Sequence, residues 1–128
     1  EQFQKILKKR KMISDYYNKE LSKITSIDLV KSPKETINSH WLYIIILNKK
    51  SKISRDKLIK KFMYEGIEVK RVFFGADEIK IYKQYLKKND YFPNTRLISR
   101  NGICLPSFTG LNKESLKKII SVIRKETV

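Results

Sequence analysis

The chain is poor in the residues that build self-contained chemistry. One cysteine, Cys104, and one histidine, His40, occur in 128 residues. That is too few for a thiolate-and-imidazole zinc set, and neither a Cys-x-x-Cys nor a His-Glu-x-x-His spacing is present, so no metal site is expected. A single thiol permits no internal disulfide. Cys104 lies in the apolar stretch Ile103-Cys104-Leu105, as a buried, reduced cysteine of a cytoplasmic protein would. His40 opens an apolar run with no motif to bring it beside Cys104, which argues against a nucleophile and base pair. The four glycines, at 66, 75, 102 and 110, are spaced as caps and turns, whereas phosphate loops need closely set glycines whose amides approach oxygens. Asp77, Glu78 and Asp90 supply carboxylates, but spacing alone sets none of them as an acid and base pair.

Long apolar runs are also lacking. The longest, Trp41 to Leu47, has seven residues, far below the roughly 20 that cross a bilayer as a helix. The N-terminus, Glu1-Gln-Phe-Gln-Lys5, lacks the basic start and the apolar stretch of a signal peptide. Acidic residues are scarce, 13 against 29 Lys and Arg, for a net charge of +16. A field of that sign attracts polyanions and invites a nucleic-acid reading. Against it, 23 of the basic residues are lysines and six are arginines, and they are scattered over every expected helix and turn. Dispersed point charges suit a solvated surface better than bidentate phosphate or base recognition.

What is present is a packable core: 41% of residues are hydrophobic, enough for one globular domain and too much for a disordered chain. Phe3, Ile6, Leu7, Ile13, Tyr17 and Leu21 recur at roughly helical spacing over Glu1 to about Ser22. This predicts a long amphipathic helix, interrupted at Arg10, that continues something upstream. Ile24 to Ser39 shows neither period, and Pro33 restricts the backbone before it, so an exposed connection is expected there. Leu42 to Leu47 is apolar on both alternating faces, the pattern of a strand covered on two sides.

Ser54 and Asp56 then open a helix with Leu58, Ile59, Phe62 and Met63 on one face, and Gly66 stands where a left-handed cap is needed. Ile67, Val69 and Val72-Phe73 predict a second strand, and Asp77 to Leu86 has helical composition. Pro93-Asn94-Thr95 can open another short helix that Gly102 ends before the strand Ile103 to Leu105. Asn112 is a candidate N-cap for a core-facing helix bearing Leu116, Ile119, Ile120 and Ile123. The fold class expected is α+β: a small, mostly antiparallel sheet of about three strands with helices packed on it.

The order of these landmarks resembles the C-terminal small domain of the DegT/StrS-type aminotransferases, pyridoxal-phosphate (PLP) enzymes of fold type I that work on nucleotide-linked sugars. The segment from Gln2 to Leu21, with Arg10, Tyr17 and Leu21 matching, resembles the helix that links the family's large and small domains. His40 to Ile46 resembles the first small-domain strand, Ser54 to Leu58 the following helix start, and Glu65-Gly66-Ile67-Glu68 the next turn. Phe92-Pro93-Asn94-Thr95, Ser99, Gly102, Leu105-Pro106 and Gly110-Leu111-Asn112 are similar to the closing segment. On this likeness residues 1–22 are a linker helix to a large domain, and residues 23–128 are the small domain.

The resemblance implies a substrate-facing loop after Val69. The family has an Arg-Pro pair there, then an aromatic residue followed by Pro-Leu-His; this chain has Lys70-Arg71, then Phe74-Gly75-Ala76-Asp77. Lys70, Phe74 and Asp77 are therefore the candidate substrate-binding residues, and Asp77, unlike a histidine, cannot donate a hydrogen bond to a phosphate when ionised. The Schiff-base lysine and phosphate cradle of the family belong to its large domain. No catalytic or cofactor-binding residue is expected in this chain, and no catalysis by it alone. PLP, a nucleotide-linked keto-sugar, a homodimer and a large domain on the same or a companion chain are expected of the full enzyme. Two further readings stand beside this one: a basic nucleic-acid-binding module, and a non-catalytic interaction remnant with an exposed apolar surface along Phe3, Ile6 and Leu7.

Overall fold

The computed structural model describes residues 2–128. Helix α1 (Gln2–Leu21) leads into strand β1 (Ile27–Leu29), followed by β2 (Tyr43–Leu47), helix α2 (Arg55–Tyr64) and the short edge strand β3 (Lys70–Arg71). Two 3-10 turns, Ala76–Glu78 and Lys80–Tyr85, precede helix α3 (Pro93–Asn101), strand β4 (Gly102–Leu105) and helix α4 (Lys113–Thr127). The four strands form one antiparallel sheet in the order β1-β2-β4-β3. The α+β class read from the sequence is the class observed.

The central pair explains why the run from Tyr43 to Leu47 has no polar face. Tyr43 pairs with Leu105 and Ile45 with Ile103, and these side chains join Leu47 in one buried cluster with residues of α1, α2 and α4. The opposite face carries Ile46, Cys104 and Gly102. A Cβ on Gly102 would come within 2.6 Å of Val72 Cγ2 and would also meet the Ile98 carbonyl. The absence of a side chain thus lets α3 and the chain after β3 close on this second face. Cys104 is buried, as expected, and free; burial pushes its thiol pKa up, which disfavours the reactive thiolate.

Helix α4 follows the sequence pattern: Leu116, Ile119, Ile120 and Ile123 are buried, and Asn112 Oδ1 accepts the Ser115 N–H at 2.8 Å. Helix α1 buries Ile13, Tyr17 and Leu21. The Tyr17 hydroxyl donates to the Pro106 carbonyl at 3.0 Å, and its ring lies 4.6 Å from that of Tyr43. The second half of α1 therefore shares the sheet's core, whereas Phe3 and Ile6 in the first half are exposed. Of the linker-helix reading, Glu1 lies outside the described residues. Gly66 takes φ 72°, the left-handed conformation that its position after α2 required.

Three expectations are corrected. The sheet has four strands rather than about three, because Ile27–Leu29, placed in an exposed connection, pairs with Leu47 to Ile45. A three-residue strand is too short to display a period, and Ile24, Ser26 and Ile27 are buried. The strand expected over Ile67 to Phe73 shrinks to Lys70–Arg71; Val69 is buried, and the two basic residues occupy the sheet edge, where charge discourages further pairing. Asp77 to Leu86 is not an α-helix. Ile79, Ile81, Tyr82, Tyr85 and Leu86 are all exposed, and with no face to bury the segment winds only into 3-10 turns.

Candidate functional site

The loop between β3 and α3 begins at the sheet edge and is held at three points. Val72 packs against Gly102, as described, and its N–H donates to the Gly102 carbonyl at 3.3 Å. Gly75 sits where a Cβ would clash with Thr95 Cγ2 at 2.6 Å and with Asp77 Oδ1, so only glycine allows this close approach to α3. Asp77 and Glu78 then face α3 directly.

Asp77 Oδ2 lies 3.0 Å from Arg96 Nε, with the carboxylate side chain 3% exposed. Arg96 in turn stands over the Tyr91 ring, 5.9 Å from its centroid, an attractive placement for a cation. Glu78 Oε2 accepts the Ser99 hydroxyl at 2.6 Å and the Gly75 N–H at 3.2 Å. These two bonds, the Ser99 hydroxyl first, hold the Glu78 carboxyl below its usual pKa. The network continues outward: the Ser99 carbonyl accepts from the Arg55 guanidinium, Arg55 Nε donates to Asp56 Oδ1 at 2.8 Å, and Asp56 Oδ2 pairs with Arg71 at 3.2 Å. The start of α2, the edge strand, the loop and α3 are thus joined through polar groups.

Lys70, Phe74 and Asp77 all belong to this loop or its root, but they point differently. Lys70 is exposed, 3.6 Å from Glu68 Oε1, and Phe74 is 71% exposed beside Phe73 at 68%. Asp77 is turned inward onto Arg96. The residues that sequence reasoning missed are Glu78, Arg96, Ser99 and Arg55. Their signal was faint but present: two adjacent acids in a strongly basic chain, and Arg96 and Ser99 one helical turn apart.

No group of three or more His, Cys, Asp or Glu among the described residues could hold a metal ion, and no helix is long and apolar enough to cross a membrane. A groove of about 690 Å³ between α1 and residues 29–44 is lined by Ser14, Asn18 and Ser22 facing His40 and Tyr43; its lining has no carboxylate and no thiol. Every lysine of the chain is exposed. A lysine that forms a Schiff base at neutral pH has a desolvated, less basic amine, and none of these lysines is enclosed in this structure.

The family model of the DegT/DnrJ/EryC1/StrS aminotransferase family matches residues 1–124. GDP-perosamine synthase of Vibrio cholerae is 31% identical over 124 residues, covering 97% of this chain and 33% of that protein. Among solved structures, the DesV protein of S. venezuelae superimposes with a TM-score of 0.82 at 16% identity, over 95% of this chain and 32% of its own. A DegT/DnrJ/EryC1/StrS aminotransferase from Brucella abortus gives 0.79 at 22% identity, over 94% and 31%. The chain therefore spans about a third of the length of the relatives it matches.

Proposed function

Since the chain belongs to the DegT/DnrJ/EryC1/StrS aminotransferase family, we propose that it is the small-domain part of a PLP-dependent aminotransferase acting on a nucleotide-linked keto-sugar. The observation that carries the reading is the match over 97% of this chain to one third of a GDP-perosamine synthase. A homologue that makes an amino sugar points to amino transfer onto a sugar carbonyl, with PLP supplying the carbanion-stabilising chemistry from a large domain. Residues 1–22 are the linker helix to that domain and residues 23–128 the small domain. The full enzyme works as a homodimer in the cytoplasm, a setting in which the lone thiol of Cys104 stays reduced.

The surface supports a missing partner. Phe3, Ile6 and Met12 on α1, and Phe73, Phe74 and Tyr85 in the segment before α3, are exposed apolar side chains. So large an uncovered apolar display is what remains when a packed neighbour is removed. The large domain covers Phe3, Ile6, Met12 and Tyr85, and the substrate lies against the loop, where Lys70, Phe73 and Phe74 are the exposed side chains that touch it. This chain's own contribution is to bind and orient substrate, since it contributes no shielded amine.

The test is chemical. Reduction of the isolated chain with borohydride in the presence of PLP leaves its mass unchanged. Reduction of the protein expressed together with a large domain attaches one phosphopyridoxyl group, and peptide mapping places it outside residues 1–128. A stoichiometric adduct on a lysine within these residues overturns the reading.

A further inference from the structure

The candidate loop is fixed by two neighbouring carboxylates that do different work. Asp77 is almost fully enclosed, pairs with Arg96, and has its Oδ1 against Gly75 with no hydrogen-bond partner. Leaving a carboxylate oxygen unpaired in a buried place is costly, so the Arg96 contact is the main compensation for burying Asp77. Glu78 closes the loop on itself through the Gly75 N–H and onto α3 through the Ser99 hydroxyl. Ser99 is itself 5% exposed, so its hydroxyl has little water to turn to. Between these anchors and Val72, the only loop side chains that project outward are Phe73 and Phe74, with Ala76.

We infer that Asp77 and Glu78 are positioning residues, which clamp the loop of residues 72–78 to α3 through Arg96 and Ser99 and so present Phe73 and Phe74 to the substrate. The inference rests on the proposed function for the identity of the substrate, a nucleotide-linked sugar, and assigns Asp77 to the protein side of the loop instead of the substrate side. Two anchors one residue apart, on helix positions three residues apart, fix the loop against both sliding and rotation. An aromatic pair held in this way loses little further freedom when a flat base or the apolar face of a sugar settles on it.

The charged groups that face Glu78 are Asp77 on the same turn and Arg100 on α3, with Arg55 of α2 reaching it through Ser99. Amide spectroscopy of the chain, free of cofactor and substrate, reads the clamp directly. The Gly75 amide resonance is expected to shift with pH at a midpoint below the ordinary glutamate range. Ser99→Ala moves that midpoint upward and Glu78→Gln abolishes the titration. Asp77→Asn and Arg96→Leu each speed hydrogen exchange at Gly75 and Glu78 about tenfold or more, as expected when a local opening replaces a held turn, while amides of α4 keep their protection. A Gly75 midpoint in the ordinary range that Ser99→Ala leaves in place overturns the inference, as does unchanged exchange in both charge variants.

In the assembled enzyme, Ser99→Ala raises KM for the nucleotide-linked sugar about tenfold with kcat within about twofold, the signature of lost substrate positioning. A fall in kcat alone, or unchanged kinetics, overturns the positioning role. The spectroscopic measurements need neither PLP nor sugar, so a failed clamp leaves the aminotransferase reading intact, and failed PLP labelling leaves the clamp intact.

Discussion

The hydroxyl of Ser26 and the hydroxyl of Thr127 lie 2.7 Å apart, both buried, joining the chain just before β1 to the last turn of α4 across 101 positions. Thr127 also donates to the Ile123 carbonyl at 2.8 Å, so its oxygen is left to accept from Ser26. The two partners are unequal. Thr127→Val strands the buried Ser26 donor and should cost about 1–3 kcal/mol, whereas Ser26→Ala leaves Thr127 bonded to Ile123 and should cost about 0.5–1.5 kcal/mol. Chemical denaturation of the two variants checks the order; a smaller loss for Thr127→Val contradicts the assigned direction of the bond.

Two helix starts that look alike in sequence should respond differently. Asn112 accepts the Ser115 N–H through its side chain, but Ser54, in the same extended cap geometry before α2, makes no side-chain cap bond. Asn112→Ala is expected to cost about 1 kcal/mol, and Ser54→Ala a few tenths at most. Thermal melts of both variants decide it, and equal shifts refute the distinction.

Where a segment buries a regular face, the sequence announced it. Leu116 to Ile123 and Tyr43 to Leu47 are examples, because period and burial are the same fact seen twice. β1 was illegible for the opposite reason: its pairing with β2 comes from tertiary contact, and three residues give no period. The segment Asp77 to Leu86 has helix-forming residues, but its apolar side chains from Ile79 to Leu86 stay exposed, so local propensity could not decide its form. The loop residues Lys70, Phe74 and Asp77 were found by family likeness alone. They lie on or beside one loop, but the inward turn of Asp77 depends on Arg96, 19 positions away, and no local rule pairs them.

The fold should weaken in alkali. Burial pushes the phenol pKa of Tyr17 well above its ordinary value near 10, with Tyr43 beside it adding to the shift, and burial does the same to Tyr43. Both groups hold their protons more tightly folded than unfolded. Their contribution is therefore complete below about 10 and declines as pH rises above it, because the unfolded chain ionises first. Denaturation midpoints measured across pH 9 to 11 (~1 unit either side of the free phenol) should fall, and Tyr17→Phe should flatten the decline. An equally steep decline in Tyr17→Phe would exclude Tyr17 as a source.

Gly66 offers a strain test independent of packing. Its φ is 72° and a Cβ there would meet nothing within 4 Å. Any loss in Gly66→Ala is then backbone strain alone, on the order of 1–2 kcal/mol for an L-residue in the left-handed region. Gly66→Asn should recover part of it, since asparagine enters that region more readily. A loss in the asparagine variant equal to that in alanine refutes the explanation.

The uncovered apolar display before α3 separates stability from assembly. Tyr85 is 75% exposed and Ile81 65%, whereas Phe62 is fully buried in the core cluster. Phe62→Ala should cost about 3–5 kcal/mol through the cavity it leaves. Ile81→Ser and Tyr85→Ser, which remove nothing the isolated chain has packed, should stay within about 0.5 kcal/mol. On the proposed function, the same two serine variants should weaken the hold between this chain and a large domain, because truncating apolar side chains at a buried contact is among the changes most costly to association. Denaturation of the isolated chain and affinity for a separately expressed large domain are the two measurements. Serine variants that destabilise the isolated chain, or that leave that affinity unchanged, remove this surface from the interface.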